Sequence, residues 1–251
     1  ALIPYLLGTK FRGNLFLGDY KSKNPPQNVL KSSTYHVIGD SHAFDIYSLL
    51  LNNGSYKVKR YAIGGCRFYF NKSAKCKKQI KNREKLLSNV NKGDVVLFSS
   101  DILPYLKKNN KESDAIIKFF NSTLPMLVKK DAIMVFKLPH PRVNPPNVGT
   151  GLICKKEIFR PFLDEGCIVE GVKKNKFYME IKIAKPLLNY LKQKHPYLLF
   201  WDITELTCPL EYCYPVKDNK QYLRDSNHLF LSSPTLSDAL VENLNTLFVN
   251  K

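Results

Sequence analysis

Val37-Ile38-Gly39-Asp40-Ser41-His42 is the stretch whose reading decides the fold. An apolar run stops at a glycine, and helix-like sequence follows at once from His42 to about Leu51. A buried strand that turns tightly into a helix is the opening unit of an α/β sheet, and a serine at that turn is held clear of the sheet. An Asp-Ser pair at such a junction is equally the ordinary composition of a helix cap, so the motif alone does not establish chemistry.

Working outward, the pattern alternates. The first strand runs from about Tyr35 to Ile38, and a second spans Tyr56 to Ile63. A charged helical stretch follows from Lys77 to Ser88, then the uninterrupted apolar strand Val95-Val96-Leu97-Phe98. Ser113 to Val128 reads as a helix with Ile116, Phe119, Phe120 and Leu127 on one face, and Ala132 to Leu138 as a strand. The prolines from Pro139 to Pro146 force a surface loop, and an insert holding Cys154 and Cys167 comes next. A long helix is expected from Asn175 to Lys194, kinked at Pro186, followed by a strand from Tyr197 to Trp201 and a closing helix from Pro234. The expected fold is therefore α/β: a three-layer α/β/α sandwich on a flavodoxin-like five-stranded parallel sheet. Residues 1–33 read as an N-terminal arm or linker, with Pro25-Pro26 as an extended connector, and residues 34–251 as one domain. The length of 251 residues suffices for one sizeable core.

Reactive groups in such sheets gather beyond the carboxyl ends of the strands. Ser41 follows the first strand, Ser99-Ser100-Asp101 the third, and Asp225-Ser226-Asn227-His228 comes after the fifth. The three segments share one edge of the expected sheet. That is the placement a Ser-His-Asp triad requires, since a triad is a relation in space and not in sequence. The alternative is that Asp225 and Asn227 are turn formers with His228 at the surface. His42 reads as a contact at the helix start, and His36, His140 and His195 as structural or solvent-facing.

Six cysteines fall in close succession as Cys66 with Cys76, Cys154 with Cys167, and Cys208 with Cys213; pairing in sequence order is the simplest arrangement. The rival, metal binding, lacks both a Cys-x-x-Cys and a histidine at ligand spacing, so neither a metal nor a cofactor is expected. Disulfides imply an extracytoplasmic setting, periplasmic, extracellular or in a secretory lumen, and three sequons at Asn53, Asn71 and Asn121 fit one. The chain opens at Ala1 without a leader-like pattern, as a mature form or excised domain would, and no run of about 18 apolar residues occurs. The net charge of +18 is spread along the chain, as at Lys129-Lys130, Lys155-Lys156 and Lys173-Lys174. Such a field suits anionic polymers, while no zinc-finger spacing or basic aromatic helix accompanies it, so no nucleic-acid partner is expected.

Gly39-Asp40-Ser41-His42 together with Asp225-x-x-His228-Leu229 resembles the first and last blocks of the SGNH (GDSL-like) hydrolase superfamily. More narrowly, with Gly65-Cys66 as a second block and the short Cys208 to Cys213 loop, the chain is similar to the SGNH domains fused behind acyltransferase 3 type membrane O-acyltransferases. The resemblance implies Ser41 as nucleophile, His228 as base, Asp225 as its orienting acid, and the amides of Ser41 and Gly65 as oxyanion donors. It also implies a serine esterase or O-acyltransferase that acts on O-acetyl groups of a cell-surface or secreted carbohydrate through an acyl-serine intermediate, and a membrane acyltransferase domain upstream in the same chain; a monomer is expected. The third block departs from the family's standard form: Phe98-Ser99-Ser100-Asp101 carries no Asn, which leaves the Ser100 hydroxyl as the side-chain oxyanion candidate. The missing Asn also admits a second function, a catalytically weak or inactive carbohydrate-binding module.

Overall fold

The computed structural model describes residues 33–69, 74–106, 111–142, 172–208, 211–213, 216–217, 220–221, 223, 227–229 and 234–249. The expected arm apart from Ser33, the insert with Cys154 and Cys167, the Asn71 sequon and Asp225 lie outside the described residues.

Strands β1 (Thr34–Gly39), β2 (Lys57–Ala62), β3 (Val95–Ser99) and β4 (Ile133–Lys137) alternate with helices α1 (Ser41–Asn53), α2 (Lys78–Asn89), α3 (Leu103–Leu106) and α4 (Lys111–Val128). After them come β5 (Val172–Lys173), α5 (Lys174–Ile181), α6 (Lys185–Lys194), β6 (Leu198–Trp201), α7 (Thr204–Thr207), β7 (Tyr212–Cys213), β8 (Val216–Lys217), β9 (Lys220–Gln221) and α8 (Pro234–Val249). Five strands form one sheet in the order β2-β1-β3-β4-β6, every pairing parallel. Crossing from the β2 side to the β3 side happens at β1, so the switch point of the sheet lies at Gly39. β5 pairs with β7, and β8 with β9, as two small antiparallel ribbons.

β3 is buried at every position, which is why it reads as a continuous apolar run and not as an alternating one. Its neighbours sort by face. Tyr35, Val37, Leu97, Val135 and Trp201 pack with Ile46, Leu49 and Leu50 of α1 and Leu240 and Leu244 of α8. Ile38, Phe98 and Phe136 pack on the other face with Ile116, Phe120 and Leu124 of α4, Phe177 of α5 and Leu191 of α6. Phe120 meets Phe98 and Phe136 edge-on, at centroid separations of 5.1 and 5.4 Å. Each such pair adds about 1 kcal/mol to the burial of its rings. The expected three-layer sandwich is thus the observed one.

The single kinked helix expected from Asn175 to Lys194 is instead two helices, joined by a 3-10 turn over Lys182–Ala184. Pro186 lies in the first turn of α6. It has no N–H to offer the Lys182 carbonyl, and its ring crowds that carbonyl, so the chain tightens one turn earlier and restarts with proline where its missing donor costs nothing. The apolar stripe survives the break, with Phe177, Ile181, Ala184, Leu188 and Leu191 all buried. Disulfides join Cys66 to Cys76 and Cys208 to Cys213, the sequence-order pairing. Among the described residues no helix is long and apolar enough to cross a membrane.

Candidate active site at the carboxyl edge of the sheet

The turn after β1 is shaped by crowding. A Cβ on Gly39 would stand 1.7 Å from the Ser99 carbonyl oxygen of β3, so no other residue fits between the two strand ends. Asp40 caps α1, its Oδ1 accepting from the His42 amide at 2.9 Å. Its second oxygen looks across the sheet and accepts from the Ser100 hydroxyl at 2.5 Å and the Asp101 amide at 3.1 Å. The cap reading of Asp40 is therefore correct, and the same carboxylate also ties the first strand's turn to the third's. Ser41, the first residue of α1, is partly exposed.

The Ser100 hydroxyl, the side-chain oxyanion candidate that the sequence suggested, is hydrogen-bonded to Asp40. A hydroxyl has one proton, and here that proton is given to Asp40, which also accepts from the His42 and Asp101 amides. Gly65 sits in a tight turn in which the Cys66 amide donates to the Ile63 carbonyl at 2.9 Å; its φ of 73° is left-handed, a conformation glycine adopts without steric cost. The turn is held by the Cys66–Cys76 disulfide and by the Ile63 amide on the Gly39 carbonyl at 3.2 Å. A Cβ on Gly64 would lie 3.6 Å from the Phe44 ring, which places the turn against the first turns of α1.

The segment Asn227-His228-Leu229 reaches the same edge from the far end of the chain. The His228 ring stacks on His42, with centroids 4.7 Å apart and planes 22° from parallel, and so lies against the helix that Ser41 opens. The segment is clasped on both sides of His228. The Leu229 amide donates to buried Asp45 of α1 at 3.1 Å. The Asn227 side-chain amide donates to Asp101 at 3.0 Å and faces Nε2 of His42 at 3.3 Å, and the Asn227 carbonyl is 2.7 Å from Nε2 of His140. Arg142 completes the edge by donating to the Asp101 carboxylate.

Burial lowers two of the imidazoles at this edge. Burial pushes His42 down to about 4, against the pull of Asp40 and with the help of Lys137 and His228. His42 is therefore neutral at pH 7, and its approach to Asp101 at 3.6 Å is a contact and not an ion pair. Burial holds His140 well below its ordinary value, with Lys137 pushing the same way. Lys137, fully buried at the end of β4, is lowered to about 8 by burial, and Asp45, Asp40 and Asp202 limit that fall. Its ammonium lies 3.0 Å from Nδ1 of His140 and 3.1 Å from the Leu138 carbonyl.

The structure thus gathers Ser41, Gly65, Ser100 and His228 around one strand edge, while Asp225 is outside the described residues. Lys137, His140 and Asp45 belong to the same edge and had no motif to announce them, and Asn227, an unassigned position of the Asp225-x-x-His228 element, brings its side chain there too. Lys137 alone left a trace: a lysine ending the run Met134-Val135-Phe136 sits where a buried strand admits charge only with partners. His36, by contrast, is buried against Asp94 and Tyr61, and His195 contacts Asn121, the structural placements expected of them.

The family model described as the SGNH domain (fused to AT3 domains) matches residues 14–234. No curated protein matches the chain. Among solved structures, the periplasmic domain of the lipopolysaccharide acetyltransferase of Salmonella ser. Paratyphi A is similar with a TM-score of 0.56 at 16% identity, over 86% of this chain and 83% of that one. A GDSL-like lipase of Bacteroides thetaiotaomicron aligns with a TM-score of 0.46 at 11% identity, over 90% of this chain and 92% of its own. With most of its length matched by the family model, this chain belongs to the SGNH domains of the kind fused to AT3 domains.

Proposed function

We propose that the protein is a serine esterase or O-acyltransferase that moves O-acetyl groups of a carbohydrate through an acyl-Ser41 intermediate. The observation that carries the reading is the His228 ring, stacked on the residue next to Ser41 and carried by a segment whose Asn227 carbonyl and Leu229 amide are both hydrogen-bonded. In this mechanism the Ser41 hydroxyl attacks the acyl carbon as its proton passes to His228. The collapsing tetrahedral intermediate releases the sugar oxygen, which takes that proton. Water or a second sugar hydroxyl then reverses the sequence, regenerating Ser41. Asp225 orients the imidazole, and the amides of Ser41 and Gly65 receive the oxyanion. The acetyl group and glycan class are supported by the similar Salmonella domain, which is that of a lipopolysaccharide acetyltransferase. The AT3 fusion of the family supports a membrane acyltransferase domain in the same polypeptide, and two disulfides support an extracytoplasmic setting.

The test is direct. Incubation with an activated acetyl ester should leave an acetyl adduct on Ser41, read by peptide mass spectrometry, and Ser41→Ala should carry none. An unlabelled Ser41 in a folded wild-type protein overturns the reading. One observation favours a second reading, a glycan-binding module without turnover: the third block carries no Asn, and its Ser100 hydroxyl is engaged by Asp40. Binding of an acidic polysaccharide with no acetyl release would select it.

A further inference from the structure

Lys137 and His140 have no place in the mechanism above, yet they are buried at the reactive edge, 2% and 5% exposed. Their partners determine the state of the His140 ring. Nε2 lies 2.7 Å from the Asn227 carbonyl, which can only accept, so Nε2 carries the proton. Nδ1 of the neutral ring is then an acceptor, and the Lys137 ammonium, which can only donate, faces it at 3.0 Å. A chain of donors therefore runs from Lys137 through His140 to the peptide unit that leads into His228.

We propose that Lys137 and His140 are positioning residues for the acid–base loop: the lysine holds His140 in its Nε2–H tautomer, and that N–H holds the Asn227 carbonyl, which sets the backbone from which His228 projects. Without the lysine, the proton is free to move to Nδ1, and a bare Nε2 lone pair would then confront the carbonyl oxygen. The groups that face Lys137 are Asp45 and Asp40 at the start of α1 and Asp202 after β6, and they keep a cation there tolerable. His42 and His228 complete the surroundings of His140.

The role deepens the esterase reading and rests on it, so the test separates the two. Ring ¹⁵N spectra of the wild-type protein report the His140 tautomer without any turnover; Nε2–H at neutral pH is expected, and an Nδ1–H or charged ring overturns the proposal. His140→Leu removes the donor, whereas His140→Gln places an amide N–H where Nε2 stood. The leucine variant should lose about 100-fold in kcat for an activated acetyl ester with KM little changed, as a displacement on the order of 1 Å would produce. The glutamine variant should recover most of that loss, and Lys137→Met should resemble the leucine variant. Wild-type kcat in a folded His140→Leu protein overturns the proposal, as does an equal loss in the leucine and glutamine variants. If the wild-type protein shows no turnover, the esterase reading fails by itself. The His228 ring shifts then decide the inference: displacement in His140→Leu with recovery in His140→Gln upholds it, and unchanged shifts overturn it. Should Lys137→Met not fold, the tautomer and the two His140 variants decide the matter in the same way.

Discussion

The two ends of the sheet each hold a histidine beside a carboxylate, and they are built on opposite plans. At the amino edge, Nε2 of His36 meets Asp94 at 3.0 Å and Nδ1 meets the Tyr61 hydroxyl at 3.3 Å. Asp94 also accepts from the Thr34 and Asn91 amides, both at 2.9 Å. Burial pushes the Asp94 carboxyl up, but those amides and His36 outweigh it and its pKa is lowered; burial lowers that of His36 despite the carboxylate. This is a neutral imidazole locked in a closed clasp between strand ends, and both ring nitrogens are occupied by fixed partners. At the carboxyl edge, the rings of His140 and His228 each pack against that of His42, and hydrogen bonds hold the backbone on either side of His228. A His-Asp pair is thus no signature of catalysis by itself. The bonds of the amino edge close on the His36 ring itself, whereas those to Asn227 and Leu229 tie the segment that carries His228 to His140 and α1.

The largest effect should come from replacing the presented groups. Ser41→Ala and His228→Ala are each expected to reduce acetyl-ester turnover by about 10⁴-fold with unfolding midpoints close to wild type. His36→Gln should leave kcat within about twofold; a His36 variant that lost turnover while keeping its stability would break the comparison. Next in size is Gly39→Ala, where a methyl would collide with the Ser99 carbonyl and part β1 from β3. Denaturant unfolding should show a loss of about 4 kcal/mol, at the severe end for a single substitution.

Acid should separate the edges further. A histidine lowered in the folded state binds its proton more readily in the unfolded chain, so the stability it contributes is present above the unfolded value of about 6.5 and is lost as pH falls toward its folded value. For His42, lowered to about 4, that loss is on the order of 3 kcal/mol between those limits, and thermal melts from pH 7 to 4 should show it, reduced in His42→Gln. Asp94 works in a different window. Its lowered carboxyl contributes stability above about pH 4 that disappears only as pH falls through its folded value. The smallest change is expected for Asp94→Asn, about 2 kcal/mol at pH 7 by chemical denaturation with turnover unaffected. A loss of turnover in this variant, measured where the protein is still folded, would show the amino edge to be coupled to the site.

Local pattern makes much of the fold legible. The apolar runs at Tyr35 to Ile38 and Val95 to Phe98 are strands where the periodicity places them, and the alternation with helices implies a parallel, doubly covered sheet. Ser41 and His228 stand out because motif chemistry is compact: a glycine, an acid and a hydroxyl in succession, and an Asp-x-x-His near the end. The break before α6 falls ahead of Pro186 instead of at it, since a proline's crowding acts on the carbonyl four residues earlier.

By itself, then, the sequence determined the α/β order, the turn at Gly39 and the candidate nucleophile and base, because backbone preference and side-chain periodicity act over a few neighbouring residues. Only the tertiary structure decided that Ser100 donates to Asp40, that Asp45 holds Leu229, and that Lys137 reaches Asn227 through His140. These partners stand 60 to 184 residues apart, or are joined through a ring that is itself 87 residues from its carbonyl. A hydrogen bond depends on distances of about 3 Å and on which lone pair faces which proton, and those are properties of the packed sheet edge that no local pattern encodes.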